Sequence, residues 1–306
     1  MTVPIALVGI GKIARDQHLP AIEASGEFEL VAAISRNATV GGVENYERLE
    51  DFLPRAPEGC AISFCTPPDV RTQMTIAALR AGQDVMIEKP PAATLGEVRA
   101  MHRAADEAGQ VLYATWHSRR AAGVDAAVEW LSGRTIERIR IDWREDVRQW
   151  HPGQDWVFDP GGFGVFDPGI NALSILTALV TDPVVVECAA LEVPENRQTP
   201  IRADLDMRCN GVPCAMHLDW LAPGEPTWRI AVETDGGTLR LEEGGGRMFV
   251  DDAEQRLPEA EEYPRLYADF AGLIAERRSD VDVRPLRIVA DAMLRGEVQR
   301  GEPFHF

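Results

Sequence analysis

The sequence predicts an α/β fold. A doubly wound parallel sheet would occupy residues 1–120, and an α+β domain with an open-faced, mostly antiparallel sheet would follow over 121–306. Three observations predict it. A continuous apolar run, Ile5-Ala6-Leu7-Val8, meets Gly9-Ile10-Gly11-Lys12-Ile13-Ala14 near the first residue. Apolar runs then alternate with helical stretches of ten or more residues, the rhythm of a parallel sheet. Beyond about Ala121 the pattern alternates with period two. Turn signals such as Asp235-Gly236-Gly237 and Gly244-Gly245-Gly246 separate the runs, as in an antiparallel sheet with one covered face.

The first run reads as a strand covered on both faces. In the G-x-G-x-x-A that follows, Gly9 permits a sharp turn and Gly11 lets backbone approach a pyrophosphate. Ala14 allows close helix–strand packing, and the helix start offers N–H groups to phosphates. A dinucleotide site is the implication. A helix with Ala14, Leu19 and Ile22 on one side leads to a strand over Phe28–Ile34. Next come a short helix around Tyr46–Leu53, a strand over Ala61–Cys65 and a helix over Val70–Ala81. A strand over Asp84–Ile87, a helix over Leu95–Ala108 and a strand over Val111–Thr115 complete the sheet. Ligands of such sheets bind beyond the carboxyl ends of the strands. Those ends carry Gly9–Gly11, Ser35-Arg36, Thr66-Pro67-Pro68, Glu88-Lys89-Pro90 and His117.

The second half reads as a bridging helix to Leu131, then strands over Ile136–Val147, Val184–Val193, Ala203–Cys209, Cys214–Trp220, Trp228–Thr234 and Thr238–Leu241. Two helices, near Glu262–Arg277 and Pro285–Arg300, close it. The 306 residues suffice for two domains and a large core. No apolar stretch approaches the ~20 residues of a membrane span. The first strand leaves no room for a signal peptide, so a cytoplasmic chain is expected. A formal charge of −18 argues against nucleic acid and anionic membranes as partners. The five cysteines (Cys60, Cys65, Cys188, Cys209, Cys214) contain no C-x-x-C and read as reduced thiols without a metal framework.

Several residues could carry chemistry. Only two lysines, Lys12 and Lys89, stand among 31 basic residues, and Lys89 precedes two prolines at a strand end. A surface lysine is the bland alternative. His117 has a similar address. In the run from Ile136, period two places Glu145 on the apolar face with Ile139, Ile141 and Trp143. It needs a partner there, either an arginine or a polar ligand. Trp150-His151-Pro152-Gly153 joins an aromatic platform, suited to the C–H face of a sugar, with a polar reader of hydroxyls. Asp167 and Asn171 are four apart and share a helix face. Asp167 before Pro168 is also a good N-cap signal. Where a carboxylate would hold the ribose of NAD, the second strand ends in Ser35-Arg36-Asn37. Arg36 can pair with a 2′-phosphate, so NADP is expected to serve at least as well as NAD.

Taken together, these residues resemble the glucose–fructose oxidoreductase / inositol dehydrogenase family of NAD(P)-dependent oxidoreductases, over essentially the whole chain. The resemblance rests on Gly9-x-Gly11-x-x-Ala14, Glu88-Lys89-Pro90 and Gly-Gly-x-x-x-Asp167-x-x-x-Asn171. Gly11–His18, Ala114–Ser118, Trp150–Gln154 and Gly164–Ser174 are similar to a narrower bacterial branch, the L-arabinose and D-galactose 1-dehydrogenases. The resemblance implies a Rossmann domain paired with an open-faced sheet. It implies an aldose 1-dehydrogenase acting on L-arabinose, D-galactose or D-fucose. Cofactor contacts would come from Gly9, Ile10, Gly11, Lys12, Ile13, Ser35, Arg36, Thr66, Pro67, Glu88, Lys89 and His117. Lys89, Glu145, His151, Asp167 and Asn171 would contact the sugar, Trp150 and Trp228 would pack on its faces, and His117 would lie beside the nicotinamide.

Many members carry His where this chain has Asn171, and neutral Asn cannot take a proton. The catalytic pair is then sought in Lys89 and Asp167. A dehydrogenase of another sugar or polyol, and a non-catalytic sugar or cofactor sensor on the same fold, remain the alternatives. The proposed outward sheet face is highly charged, which predicts a monomer or a weak homodimer.

Overall fold

A computed structural model of the protein describes residues 2–259 and 261–306. Two compact units divide the chain: Met1–His117 with Glu261–Val283, and Ser118–Ala260 with Arg284–Phe306.

In the first unit six strands, β1 (Val3–Val8), β2 (Phe28–Ile34), β3 (Glu44–Tyr46), β4 (Ala61–Phe64), β5 (Asp84–Ile87) and β6 (Leu112–Ala114), form one sheet. Its order is β3-β2-β1-β4-β5-β6 and every pairing is parallel. Val8 pairs with Ile34 and Phe64, Phe64 with Ile87, and Ile87 with Ala114. That register ends the strands in one row, so the segments beginning at Gly9, Ser35, Cys65, Glu88 and Thr115 emerge along one edge. The order reverses between β1 and β4, the point at which ligands bind in such sheets.

After the glycine turn the chain forms a π-helical turn, Ala14–His18, that runs into the α-helix Leu19–Ala24. Pro20 lacks the N–H for the regular i→i−4 bond, and the Leu19 N–H reaches back to the Ala14 carbonyl instead. The wider turn carries His18 fully inside.

Two expectations fail in this unit. The segment near Tyr46 is not the start of a helix: Glu44–Tyr46 is an edge strand, and a single turn follows at Leu49–Phe52. The Asn45 side chain accepts from the Val40 N–H and donates to the Val40 and Val43 carbonyls, folding the loop so that this strand lies against β2. The second concerns the domain boundary. Helix Glu262–Glu276 belongs to the first unit, where Tyr263, Leu266, Tyr267, Phe270 and Leu273 cover Ile5, Phe28, Ala61, Met86 and Tyr113. Phe270 stacks on Phe28 at 5.6 Å.

The second unit holds nine strands: β7 (Ile136–Arg144), β8 (Val184–Pro194), β9 (Arg202–Cys209), β10 (Val212–Asp219), β11 (Thr227–Thr234), β12 (Gly237–Glu242), β13 (Arg247–Val250), β14 (Ala253–Glu254) and β15 (Gly296–Gly301). Their order is β14-β13-β12-β11-β7-β10-β9-β8-β15. Among the described residues only β7–β10 and β8–β15 pair in parallel. Helix Phe166–Leu179 lies on the covered face, almost wholly buried. A Cβ on Gly169 would stand 2.7 Å from Leu218, so glycine sets how closely this helix approaches the sheet.

β13 and β14 were not foreseen, and the last predicted helix is too long. It ends at Arg295, and residues to Gly301 become β15. Gly296 makes the exchange feasible, since a Cβ there would meet Leu191 at 2.5 Å. Among the described residues no helix is long and apolar enough to cross a membrane.

The open face of the nine-stranded sheet pairs its own charges. Arg140 bonds Asp142, His217 meets Asp204 at 2.5 Å, Arg229 reaches Glu242, and Arg138 faces Glu233.

Candidate active site

At the carboxyl edge of the first sheet, Gly9 has φ +90°, and a Cβ on it would stand 2.9 Å from Thr66 and close to the Cys65 carbonyl carbon. Glycine is therefore required where β1 and β4 turn side by side. A Cβ on Gly11 would meet nothing within 4 Å. Backbone there is open to a pyrophosphate. The helix that follows has no side-chain cap, and the Thr66 hydroxyl oxygen is buried with no hydrogen-bond partner among the described residues. A free helix start, an open glycine and an orphaned hydroxyl on one edge fit a dinucleotide. Lys12 is exposed and pairs with Asp16 one turn on; Arg36 is exposed and Ser35 half-buried.

Lys89 is half-buried, and its peptide bond to Pro90 is cis. Its backbone N–H donates to Glu88 Oε2 at 2.9 Å. Glu88 Oε1 lies 3.0 Å from His18 Nε2 and accepts from the Tyr263 hydroxyl at 3.0 Å. Burial opposes charge on both His18 and Glu88. Even so, the His18 ring holds the Glu88 carboxyl at about 2, while Cys65, Tyr267 and Glu88 hold His18 well above the ordinary histidine value. Both shifts run in the direction that favours charge on the two groups, as in an ion pair. Arg71, fully buried in helix Pro68–Arg80, donates to the carbonyls of Thr66, Glu88 and Pro90. Burial lowers its guanidinium to about 10, which leaves it cationic. His117 stacks on Tyr263 at 5.7 Å, with Nδ1 2.6 Å from Glu262.

The second unit assembles the other residues. Glu145 is buried on the apolar face, as period two requires, and its carboxylate accepts from two indoles. Trp220 Nε1 donates to Oε1 at 3.1 Å and Trp228 Nε1 to Oε2 at 2.7 Å. The carboxylate thus fixes two indoles. Trp228 stacks on Trp143 at 6.0 Å and lies 5.3 Å from Trp150, which is 40% exposed. His151 meets the edge of the Trp220 ring at 5.4 Å.

Asp167 is not the N-cap. The helix starts at Phe166 with Val165 at the N-cap, which puts Asp167 inside the first turn, where the helix dipole favours its negative charge. His151 Nε2 lies 3.3 Å from Asp167 Oδ2, and the other ring nitrogen is 3.4 Å from Gln154. Asn171, half-buried, follows one turn later on the same face.

Residues 3–115 match the oxidoreductase family with an NAD-binding Rossmann fold known as Gfo/Idh/MocA. Galactose 1-dehydrogenase of Pseudomonas fluorescens is 42% identical over 308 aligned positions, which cover 99% of each chain. The chain belongs to this family. Among solved structures, D-galactose-1-dehydrogenase from Rhizobium etli is 46% identical with a TM-score of 0.96, covering 99% of this chain and 98% of that one. KijD10, a 3-ketoreductase from Actinomadura kijaniata solved with NADP and TDP-benzene, is 16% identical over the whole of both chains with a TM-score of 0.84, a likeness of fold alone.

For this Gfo/Idh/MocA oxidoreductase, then, the motifs on which the resemblance rests were readable in sequence. His18, Arg71, Tyr263 and Tyr267 were not singled out. The one local hint was the i, i+4 spacing of Tyr263 and Tyr267, which puts two hydroxyls on one helix face.

Proposed function

We propose that the protein is an aldose 1-dehydrogenase that oxidises C1 of an aldopyranose, D-galactose foremost and L-arabinose and D-fucose with it. A hydride leaves C1, the anomeric hydroxyl loses its proton, and a C1=O bond forms to give the lactone. The observation that carries this reading is similarity along the full length to two galactose 1-dehydrogenases. The Glu145-anchored aromatic wall beside His151 and Asp167 supports it, because apolar ring faces and polar readers suit a pyranose.

When bound, NAD(P)⁺ supplies the hydride acceptor. The turn Gly9, Ile10, Gly11, Lys12 and Ile13 would hold its pyrophosphate, with Thr66, Pro67 and Glu88 beyond the neighbouring strands and His117 at the nicotinamide end. Trp150 and Trp228 pack on the sugar, and Glu145, His151 and Asn171 read its hydroxyls. Glu145 keeps lone pairs for this while both oxygens accept from indoles. Lys89 lowers the cost of the developing oxyanion on O1, and Asp167 accepts the proton. Absorbance at 340 nm with D-galactose and each cofactor tests the reading. No reduction of either cofactor, by folded protein, would remove it.

Ser35-Arg36 ends β2 without a carboxylate, so NADP⁺ should be used at least as well as NAD⁺. Arg36→Ala should raise the KM for NADP⁺ far more than that for NAD⁺, because only NADP⁺ offers a 2′-phosphate to the guanidinium. Equal rises contradict it.

The self-paired charges of the open sheet face favour a monomer or a weak, salt-sensitive dimer, since obligate interfaces are more apolar. Light scattering in high salt checks this; a dimer that survives micromolar dilution overturns it.

A further inference from the structure

We propose that the buried His18–Glu88 ion pair, with Tyr263, Tyr267 and Ser63, is a positioning device for Lys89, acting through the Lys89 backbone. The inference rests on Lys89 being catalytic, as proposed above.

One carboxylate is gripped from several elements. Glu88 Oε1 receives His18 Nε2 and the Tyr263 hydroxyl, each at 3.0 Å, and Oε2 accepts the Lys89 N–H at 2.9 Å. His18 is itself fixed, with Nδ1 2.8 Å from the Tyr267 hydroxyl and 3.4 Å from the Ser63 hydroxyl. It comes from the π-helical turn, Ser63 from β4, and both tyrosines from the helix Glu262–Glu276. Arg71 completes the hold by binding the carbonyls of Glu88 and Pro90, on either side of Lys89. The lysine backbone is thus restrained at its amide and at both flanking carbonyls, which leaves the side chain one defined origin.

Stability alone does not account for this arrangement. A buried ion pair is generally no better than well-packed apolar residues, because the desolvation of two charges offsets their attraction. Here His18 is 0% and Glu88 5% exposed, so both groups have lost nearly all their water. What the ion pair adds is a fixed geometry one residue from the ammonium. An error of about 1 Å in the placement of a reacting group costs ~10²-fold in rate.

The test is steady-state kinetics with D-galactose and NADP⁺ on Glu88→Gln, His18→Gln and Tyr267→Phe, each checked for folding by thermal melt. In Glu88→Gln and His18→Gln kcat should fall ~10-fold or more, and in His18→Gln, which removes no proposed cofactor contact, the KM for NADP⁺ should change little, as expected for a misplaced group. Tyr267→Phe, which deletes one hydroxyl, should lower kcat by a few-fold. The chain has only two lysines, so reductive ¹³C-methylation gives two lysine signals by NMR. The Lys89 signal should move in all three variants and the Lys12 signal should stay. Folded variants with native kcat and an unmoved Lys89 signal overturn the proposal. If Glu88→Gln and His18→Gln do not fold, Tyr267→Phe and Tyr263→Phe decide by the same two readouts. Lys89→Met keeps the failures apart. Native kcat in that variant removes the reading beneath, whereas lost activity there with native network variants removes only the positioning role.

Discussion

Lys89→Met should lower kcat by ~10² or more, and Asp167→Asn by a similar factor, the usual range for residues that handle a proton in the transition state. Methionine keeps most of the length and apolar stem of lysine and deletes the ammonium. Its effect therefore reports the charge presented to O1 and not the packing. The backbone holding Lys89 uses main-chain groups that methionine also possesses, so the variant should fold. Asp167→Asn keeps the shape of a side chain in the first turn of its helix while removing a proton acceptor. It also deprives His151 of the carboxylate 3.3 Å away, so the KM for the sugar should rise along with the fall in kcat. Near-native kcat in Lys89→Met withdraws the assignment.

The parts of the fold that sequence reveals are those with local causes. Helix Leu95–Ala108 has its foreseen bounds because Thr94 and Glu97 form a reciprocal capping box and Gly109 accepts the left-handed turn at the other end. β2 and β5 likewise run as foreseen, and the apolar run of β5 is covered on both faces. Distant partners made the rest illegible. Helix Glu262–Glu276 completes a core begun by Ile5 and Phe28, and no property of the helix itself says which sheet it will cover. Arg71 looks like an ordinary helix arginine until carbonyls from Glu88 and Pro90 close around it. His18 is decided by a glutamate 70 residues later in the chain. Glu145 is the intermediate case: its period placed it inside, while the two indoles that donate to it depended on how β7, β10 and β11 come together.

D-Galactose should be oxidised with a kcat/KM at least ~10²-fold above that for D-glucose, and L-arabinose should stand at a similar distance above D-xylose. Each pair differs by inversion at C4. L-Arabinopyranose and D-galactopyranose share the configuration of every ring hydroxyl and differ only by a hydroxymethyl group at C5. The proposed contacts from Glu145, His151 and Asn171 to ring hydroxyls would therefore hardly distinguish those two, and room around C5 would have to do so. One small group in a pocket is worth only ~1–3 kcal/mol. An inverted C4 hydroxyl is more costly, since it leaves a buried polar partner unpaired, at ~1–3 kcal/mol for a neutral group and more for a charged one. The proposed reader, Glu145, is a carboxylate with both oxygens already turned toward indole N–H groups, which would prevent it from swinging to follow a displaced hydroxyl. Glu145→Gln should then narrow the galactose-to-glucose ratio and lower the melting temperature, because its amide presents a donor where one indole N–H needs an acceptor. A sugar panel with NADP⁺ measures both effects. Equal kcat/KM for D-glucose and D-galactose would mean that Glu145, His151 and Asn171 do not read C4.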